Sequence, residues 1–226
     1  MKKKAILVGA SGATGSSLLF QLLENKNYSD VLVLARRELR IQHTKLKQLI
    51  IDFDRVNDYA AEINGDVVFC CLGTTKSQTP DEQQYRKIDY QYPLDIARLA
   101  KNNGAKSYHL ISFIGANKNS SFFYPRIKGE LENDLRSVPF ENIHIYRPFL
   151  LDAPRKDKRF TEVAVNVMMQ IINPLLIGGL KKYRSIKAEN IAKAMIRLSL
   201  EDRKGLFIHE PNEIQRLGDE NNVPYR

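Results

Sequence analysis

The chain has no tryptophan, two cysteines and four histidines among its 226 residues. The cysteines, Cys70 and Cys71, are neighbours in DVVFCCLG, so on a strand they point to opposite faces and cannot close a disulfide of ordinary geometry. They read as small buried residues of a reducing compartment. The histidines, His43, His109, His144 and His209, are scattered, and no Cys/His cluster has metal-ligand spacing, so no metal is expected. No apolar run approaches the roughly 18 residues of a membrane span, and Met1-Lys2-Lys3-Lys4 leads into a short strand rather than a secretory leader. A cytoplasmic protein without membrane association is the expectation. There is no Gly-x-Ser-x-Gly elbow either, which argues against nucleophilic hydrolysis.

What is present is the composition of a globular domain, with 43% apolar and 27% charged residues. A chain of this size buries roughly 70% of its unfolded surface, enough to fold as one domain over 1–226. The net charge of +9 admits an anionic ligand. Its lysines and arginines are spread along the chain without a recognition helix or stacking motif, so nucleic acid is not expected as a partner. Oligomeric state is not legible.

The N-terminal stretch KAILVGASGATGSSLL organises the rest. A buried strand, Ala5 to Val8, stops at Gly9-x-x-Gly12-x-x-Gly15 and gives way to the helical spacing of Leu18, Leu19, Leu22 and Leu23. Strand, tight turn and helix in this order suit a dinucleotide pyrophosphate, taken up by Gly9, Ser11, Gly12, Ala13, Thr14 and Gly15 at the helix N-terminus. Further strands follow near 30–35, 46–51, 66–73, 107–112 and 142–148, with helical segments between them. DVVFCCLG is apolar on both faces, as a central parallel strand should be. The pattern predicts an α/β, Rossmann-type doubly wound parallel sheet with its crevice at the strand C-termini. Beyond Pro148 the pattern changes to a charged loop, DAPRKDKR, an apolar helix, FTEVAVNVMMQII, a second helix in SIKAENIAKAMIRLSL and a last strand, GLFIHEP. This third, 150–226, reads as a small substrate-side cap that is not independent.

Four strand ends carry the cofactor expectations. Arg36 and Arg37 close the second strand where an acid would select NAD, so NADP(H) is expected over NAD(H). Asp52 and Phe53 end the third strand on the adenine side. Leu72, Gly73 and Thr74 follow the fourth along the cofactor, and Arg147 and Pro148 end the sixth near the nicotinamide. Asp89 reads as a cap of the long helix, bent by Pro93 or starting there.

Tyr124 and Lys128 lie at i, i+4 on a helix and so share a face, and Ser112 ends the preceding strand. Reduction of a carbonyl develops negative charge on oxygen. Tyr124 would supply the proton if its phenol were drawn down towards neutrality by the Lys128 cation, with the Ser112 hydroxyl polarising the carbonyl. The expected function is hydride transfer between a nicotinamide and a small carbonyl or alcohol, on a substrate that the basic chain allows to be anionic. The alternative is a non-catalytic NADP(H) sensor that regulates a protein partner.

GASGATG, ARR, DVVFCCLGTT, SFIGANKNSSFFY and YPRIKGELE together resemble the atypical short-chain dehydrogenase/reductases, in the branch of NmrA-like and epimerase-like proteins, and more closely the Htatip2 family of oxidoreductases. The likeness runs from about Lys4 to Pro148. It implies a Rossmann-type NADP(H)-binding fold with Ser112, Tyr124 and Lys128 as catalytic trio, and it also implies regulatory, protein-binding roles. Where many classical reductases keep an asparagine in a proton relay, this chain offers Asp89.

Overall fold

A computed structural model describes residues 1–152 and 185–219. Its main strands are β1 (Lys3–Val8), β2 (Tyr28–Ala35), β3 (Leu46–Ile50), β4 (Val67–Cys70), β5 (Ser107–Ile111) and β6 (Asn142–Tyr146). The short β7 (Leu150–Asp152) and β8 (Ser185–Lys187) pair only with each other, and β9 (Gly205–His209) closes the series. Seven strands run parallel in the order β3-β2-β1-β4-β5-β6-β9. All four residues of β4 are buried, because helices cover both faces of the sheet there. The strand order reverses between β1 and β4, which opens the ligand crevice at their C-terminal ends.

The side chains of each strand alternate between two cores. One holds Ile6, Val8, Leu34, Val68, Leu110 and Ile145. Ile96 of α3 (Tyr92–Asn102) and Leu131 of α4 (Phe123–Leu135) pack there. The other holds Leu7, Val33, Phe69 and Tyr146, with Leu18 and Leu22 of α1 (Ala13–Glu24). Ile191 and Met195 of α5 (Ala188–Ser199) and Ile214 of α6 (Pro211–Asp219) complete it. The C-terminal helices therefore cap the α1 side of the sheet, and β9 extends the sheet itself. The rest of DAPRKDKR after Asp152, and FTEVAVNVMMQII, lie outside the described residues.

The helix around Pro93 departs from expectation in an instructive way. It begins at α2 (Glu82–Arg86), whose cap is Asp81, accepting from the Gln84 amide at 2.7 Å. A π-helical turn, Lys87–Gln91, then joins α2 to α3. Proline has no amide hydrogen and crowds the carbonyl four residues back, here that of Asp89. The Tyr92 amide instead bonds the Lys87 carbonyl five residues back, accommodating one extra residue. Asp89 consequently caps nothing and is fully buried.

Three histidines are packed in the second core rather than placed for chemistry. The rings of His109 and His144 stack at 4.7 Å, and those of His144 and His209 at 5.2 Å, across β5, β6 and β9. His109 bonds the Tyr146 hydroxyl through Nδ1 and the Ser107 hydroxyl through Nε2, both at 2.9 Å. His144 Nδ1 and His209 Nε2 share a hydrogen bond of 2.9 Å. Burial lowers the pKa of His109 and His209 and takes that of His144 down to about 3. A folded-state pKa below the unfolded value favours the neutral ring, so this contribution is complete above the ordinary histidine value of 6.5 and is lost as pH falls below it. We predict that unfolding free energy, followed by urea titration, declines through that window by up to about 1.4 kcal/mol per pH unit for each histidine. The substitution His144→Phe, which keeps the stack, should flatten the decline.

Candidate active site

The crevice begins with the turn between β1 and α1. Gly9 has φ +84°, and a Cβ there would stand 2.5 Å from the Cys71 carbonyl oxygen. A Cβ on Gly15 would overlap the Gly9 carbonyl oxygen, so α1 crosses β1 only because both residues are glycine. Gly12 differs, since a Cβ there would meet nothing closer than 3.4 Å. It is exposed and forms the N-cap of α1 with no side-chain bond, and no acidic residue lies in the first turn. The Thr14 hydroxyl is buried without a hydrogen-bond partner among the described residues. An uncapped helix start, open space over Gly12 and an unused hydroxyl together fit the pyrophosphate of a dinucleotide.

On the other side of the crevice the segment after β4 is held from beneath. The Thr74 amide donates to Asp89 Oδ2 at 2.9 Å, and the Thr74 carbonyl accepts from the Tyr85 hydroxyl at 3.0 Å. Asp89 Oδ1 lies 2.8 Å from Lys128 Nζ in an ion pair whose side chains are 1% and 3% exposed. Lys128 Nζ stands 5.9 Å from the centroid of the Tyr124 ring. That ring also meets Tyr85 at 6.2 Å and Phe113 at 5.2 Å. The i, i+4 pair thus shares a face as its spacing requires, and Asp89 joins it.

The charges do not act as the sequence suggested. Burial pushes the Tyr124 phenol up by more than the Lys128 cation pulls it down, and the Asp89 carboxylate adds to the rise. Burial opposes the charge of Lys128, but attraction to Asp89 and then to Tyr124 outweighs it and keeps the ammonium protonated. The phenol is therefore not drawn towards neutrality, because burial outweighs the cation and Asp89 offsets part of its pull.

Ser112 is buried after β5, but its hydroxyl donates to Glu132 Oε1 of α4. The same carboxylate takes Arg147 Nη2 at 2.5 Å and Nε at 3.1 Å. Arg147 reaches Glu210 at 3.5 Å as well, and so braces α4 against the end of β9. Pro148 offers its carbonyl to the Ile114 amide at 3.3 Å. The side chain from the end of β5 that stands against Tyr124 is Phe113, so Ser112 and Arg147 form a separate polar cluster with Glu132.

After β3, Asp52 caps a 3-10 segment, Phe53–Tyr59, by accepting from the Asp54 amide at 3.0 Å. Phe53 is buried, with its ring 5.4 Å from that of Tyr92. Leu72 packs at the border of the first core. Arg36 and Arg37 are exposed beyond β2.

Residues 9–170 match the NAD(P)H-binding family. The chain belongs to that family. Proteins similar to it include rat protein HTATIP2, 36% identical over 161 residues that make up 70% of this chain and 66% of that one. Protein fmp52, mitochondrial, of Aspergillus fumigatus is 31% identical over 97% of this chain and 96% of its own. Among solved structures, WbmH of Bordetella bronchiseptica in complex with NAD+ has a TM-score of 0.70 at 15% identity, covering 97% of this chain and 80% of that one. UDP-N-acetylglucosamine 4-epimerase of Methanobrevibacter ruminantium, in complex with UDP-N-acetylmuramic acid, has a TM-score of 0.70 at 18% identity, covering 96% of this chain and 81% of that one. With the solved structures this chain shares the fold.

One expectation is corrected here. Four solved structures similar to this chain are complexes with NAD rather than NADP. The preference for NADP(H) read from Arg36 and Arg37 is overturned. The physical reason lies in the site: Arg36 and Arg37 are exposed, and among the described residues no buried partner fixes their guanidinium groups, so they tolerate a 2′-phosphate without requiring one.

The two tight glycines separate from the open one in a stability test. Gly9→Ala and Gly15→Ala should each lower unfolding free energy by about 1–3 kcal/mol, from backbone strain and overpacking. Gly12→Ser, which supplies a favourable helix cap, should leave it within about 0.5 kcal/mol. Chemical denaturation of the three variants checks this ordering.

Proposed function

We propose that this protein is an NAD(H)-dependent oxidoreductase that interconverts a carbonyl and an alcohol on a small molecule, with Tyr124 as the proton-transfer group. The observation that carries the reading is the phenol of Tyr124 beside the buried Lys128 cation, on the wall of the crevice whose opposite lip is the glycine turn. The dinucleotide supplies the hydride. Gly9, Ser11, Gly12, Ala13, Thr14 and Gly15 would hold its pyrophosphate, Arg36 and Arg37 would flank the adenosine ribose, and Asp52 and Phe53 would border the adenine. Leu72, Gly73 and Thr74 would line its path.

In reduction, the carbonyl carbon gains a hydride and its oxygen takes the proton of the Tyr124 hydroxyl, leaving a phenolate that solvent reprotonates. Lys128 lies beside that phenolate as it forms, its charge shared with Asp89. A phenol held protonated suits donation. Ser112 acts at one remove, fixing Glu132 and with it α4. Nucleotide sugars are the first substrates to try, since an anionic UDP-sugar derivative occupies the Methanobrevibacter neighbour.

The chain has no tryptophan, so NADH fluorescence reports binding without background from an indole. Tyr124→Phe should lower kcat by about 10²–10⁴-fold while the Kd for NADH stays unchanged. Gly12→Ser should weaken NADH binding, because a side chain would then occupy the space left for the pyrophosphate. Full turnover by Tyr124→Phe across carbonyl substrates would refute the assignment.

A further inference from the structure

The Lys128–Asp89 pair is not explained by the chemistry above, in which an unpaired cation would serve the phenol better. Both oxygens of Asp89 are committed, one to Lys128 Nζ at 2.8 Å and the other to the Thr74 amide at 2.9 Å. The carboxylate reaches this position because the π-helical turn ahead of Pro93 carries Asp89 into the interior. Around the Tyr124 ring stand Lys128 on the same helix, Asp89 on the π-helical turn, Tyr85 on α2 and Phe113 after β5. Only Lys128 and Asp89 among them carry charge at neutral pH. An ammonium and a carboxylate in contact present a dipole to a third group, and the carboxylate offsets part of the pull of the cation on a nearby phenol.

We propose that Asp89 is a positioning residue that pins Lys128 to the segment after β4 and offsets its charge in place, so that the Tyr124 phenol holds its proton more firmly than it would beside an unpaired cation. This rests on the reading of Tyr124 as the proton-transfer group. The structure gives the arrangement two separable parts: the amide of Thr74 needs only an acceptor at residue 89, whereas Lys128 needs its charge.

Asp89→Asn keeps an acceptor and removes the charge, and the titration of Tyr124 reads the effect directly in protein without cofactor. With ¹³C-labelled tyrosine, the Tyr124 resonance is identified by its loss in Tyr124→Phe, and its midpoint is followed by NMR against pH. In Asp89→Asn the midpoint should fall by about one pH unit or more, as an uncompensated cation dictates. An unmoved or raised midpoint overturns the proposal. Leaving Lys128 unpaired can cost the fold, so Asp89→Asn/Lys128→Met, which buries no charge, provides the second arm. Its midpoint should stay close to that of the unaltered protein. A rise of about one unit there would mean that Lys128 acted on the phenol uncancelled, and would also overturn the proposal. Turnover surviving Tyr124→Phe overturns the reading of Tyr124 whatever the titration shows. Loss of turnover in that variant with an unmoved midpoint in Asp89→Asn overturns the role of Asp89 alone.

Discussion

The contact between Lys128 and Asp89 ties together three parts of the chain that are far apart in sequence. Removing either charge from water alone is expensive, and each is tolerated in the interior because the other is there. The pair therefore fixes α4 against the helix that carries Pro93, while the second oxygen of Asp89 holds the Thr74 backbone at the mouth of the sheet. The floor of the crevice inherits its shape from this arrangement. Such a pair adds little net stability compared with apolar residues of the same volume, so its contribution is to placement and local field.

The facing lip is set by sterics alone. Gly9 and Gly15 let α1 cross β1 at backbone contact distance, which aims the free amides of the helix start into the space beside β4. One lip thus carries the uncapped backbone terminus of α1, and in the proposed site the other carries the phenol of Tyr124 with the Lys128–Asp89 pair behind it. The parallel order of the sheet brings these lips together, because β1 and β4 are neighbours although more than 50 residues of chain separate them.

Much of this was legible in the sequence because local rules and tertiary packing demanded the same residues. The apolar runs gave the strands, the glycine spacing gave the first turn, and the four-residue spacing placed Tyr124 and Lys128 on one face. Three features were misread for definite reasons. Arg36 and Arg37 were taken as a filter for phosphate, although charge at a strand end says nothing of whether it is anchored. Ser112 and Phe113 are consecutive, and where a strand gives way to a loop nothing local says which of them meets Tyr124. Asp89 was assigned to a helix end because Pro93 was read as a bend or a first turn, which hid the π-helical turn. A signal for the Glu132–Arg147 cluster was present: Tyr124, Lys128 and Glu132 recur at intervals of four on a helix face turned inward, where apolar residues are the rule.

The π-helical turn also constrains how this protein can vary. An inserted residue in a helix advances everything after it by about 100° around the axis. In α3, Leu94, Ile96, Ala97 and Ala100 face the core only with that phase offset in place. Deleting one residue from the turn would restore a regular helix and, in the same stroke, swing this apolar stripe towards solvent and withdraw the carboxylate from the lysine. Length in this segment is therefore as strictly specified as identity, and variation that the rim loops can absorb is closed to it.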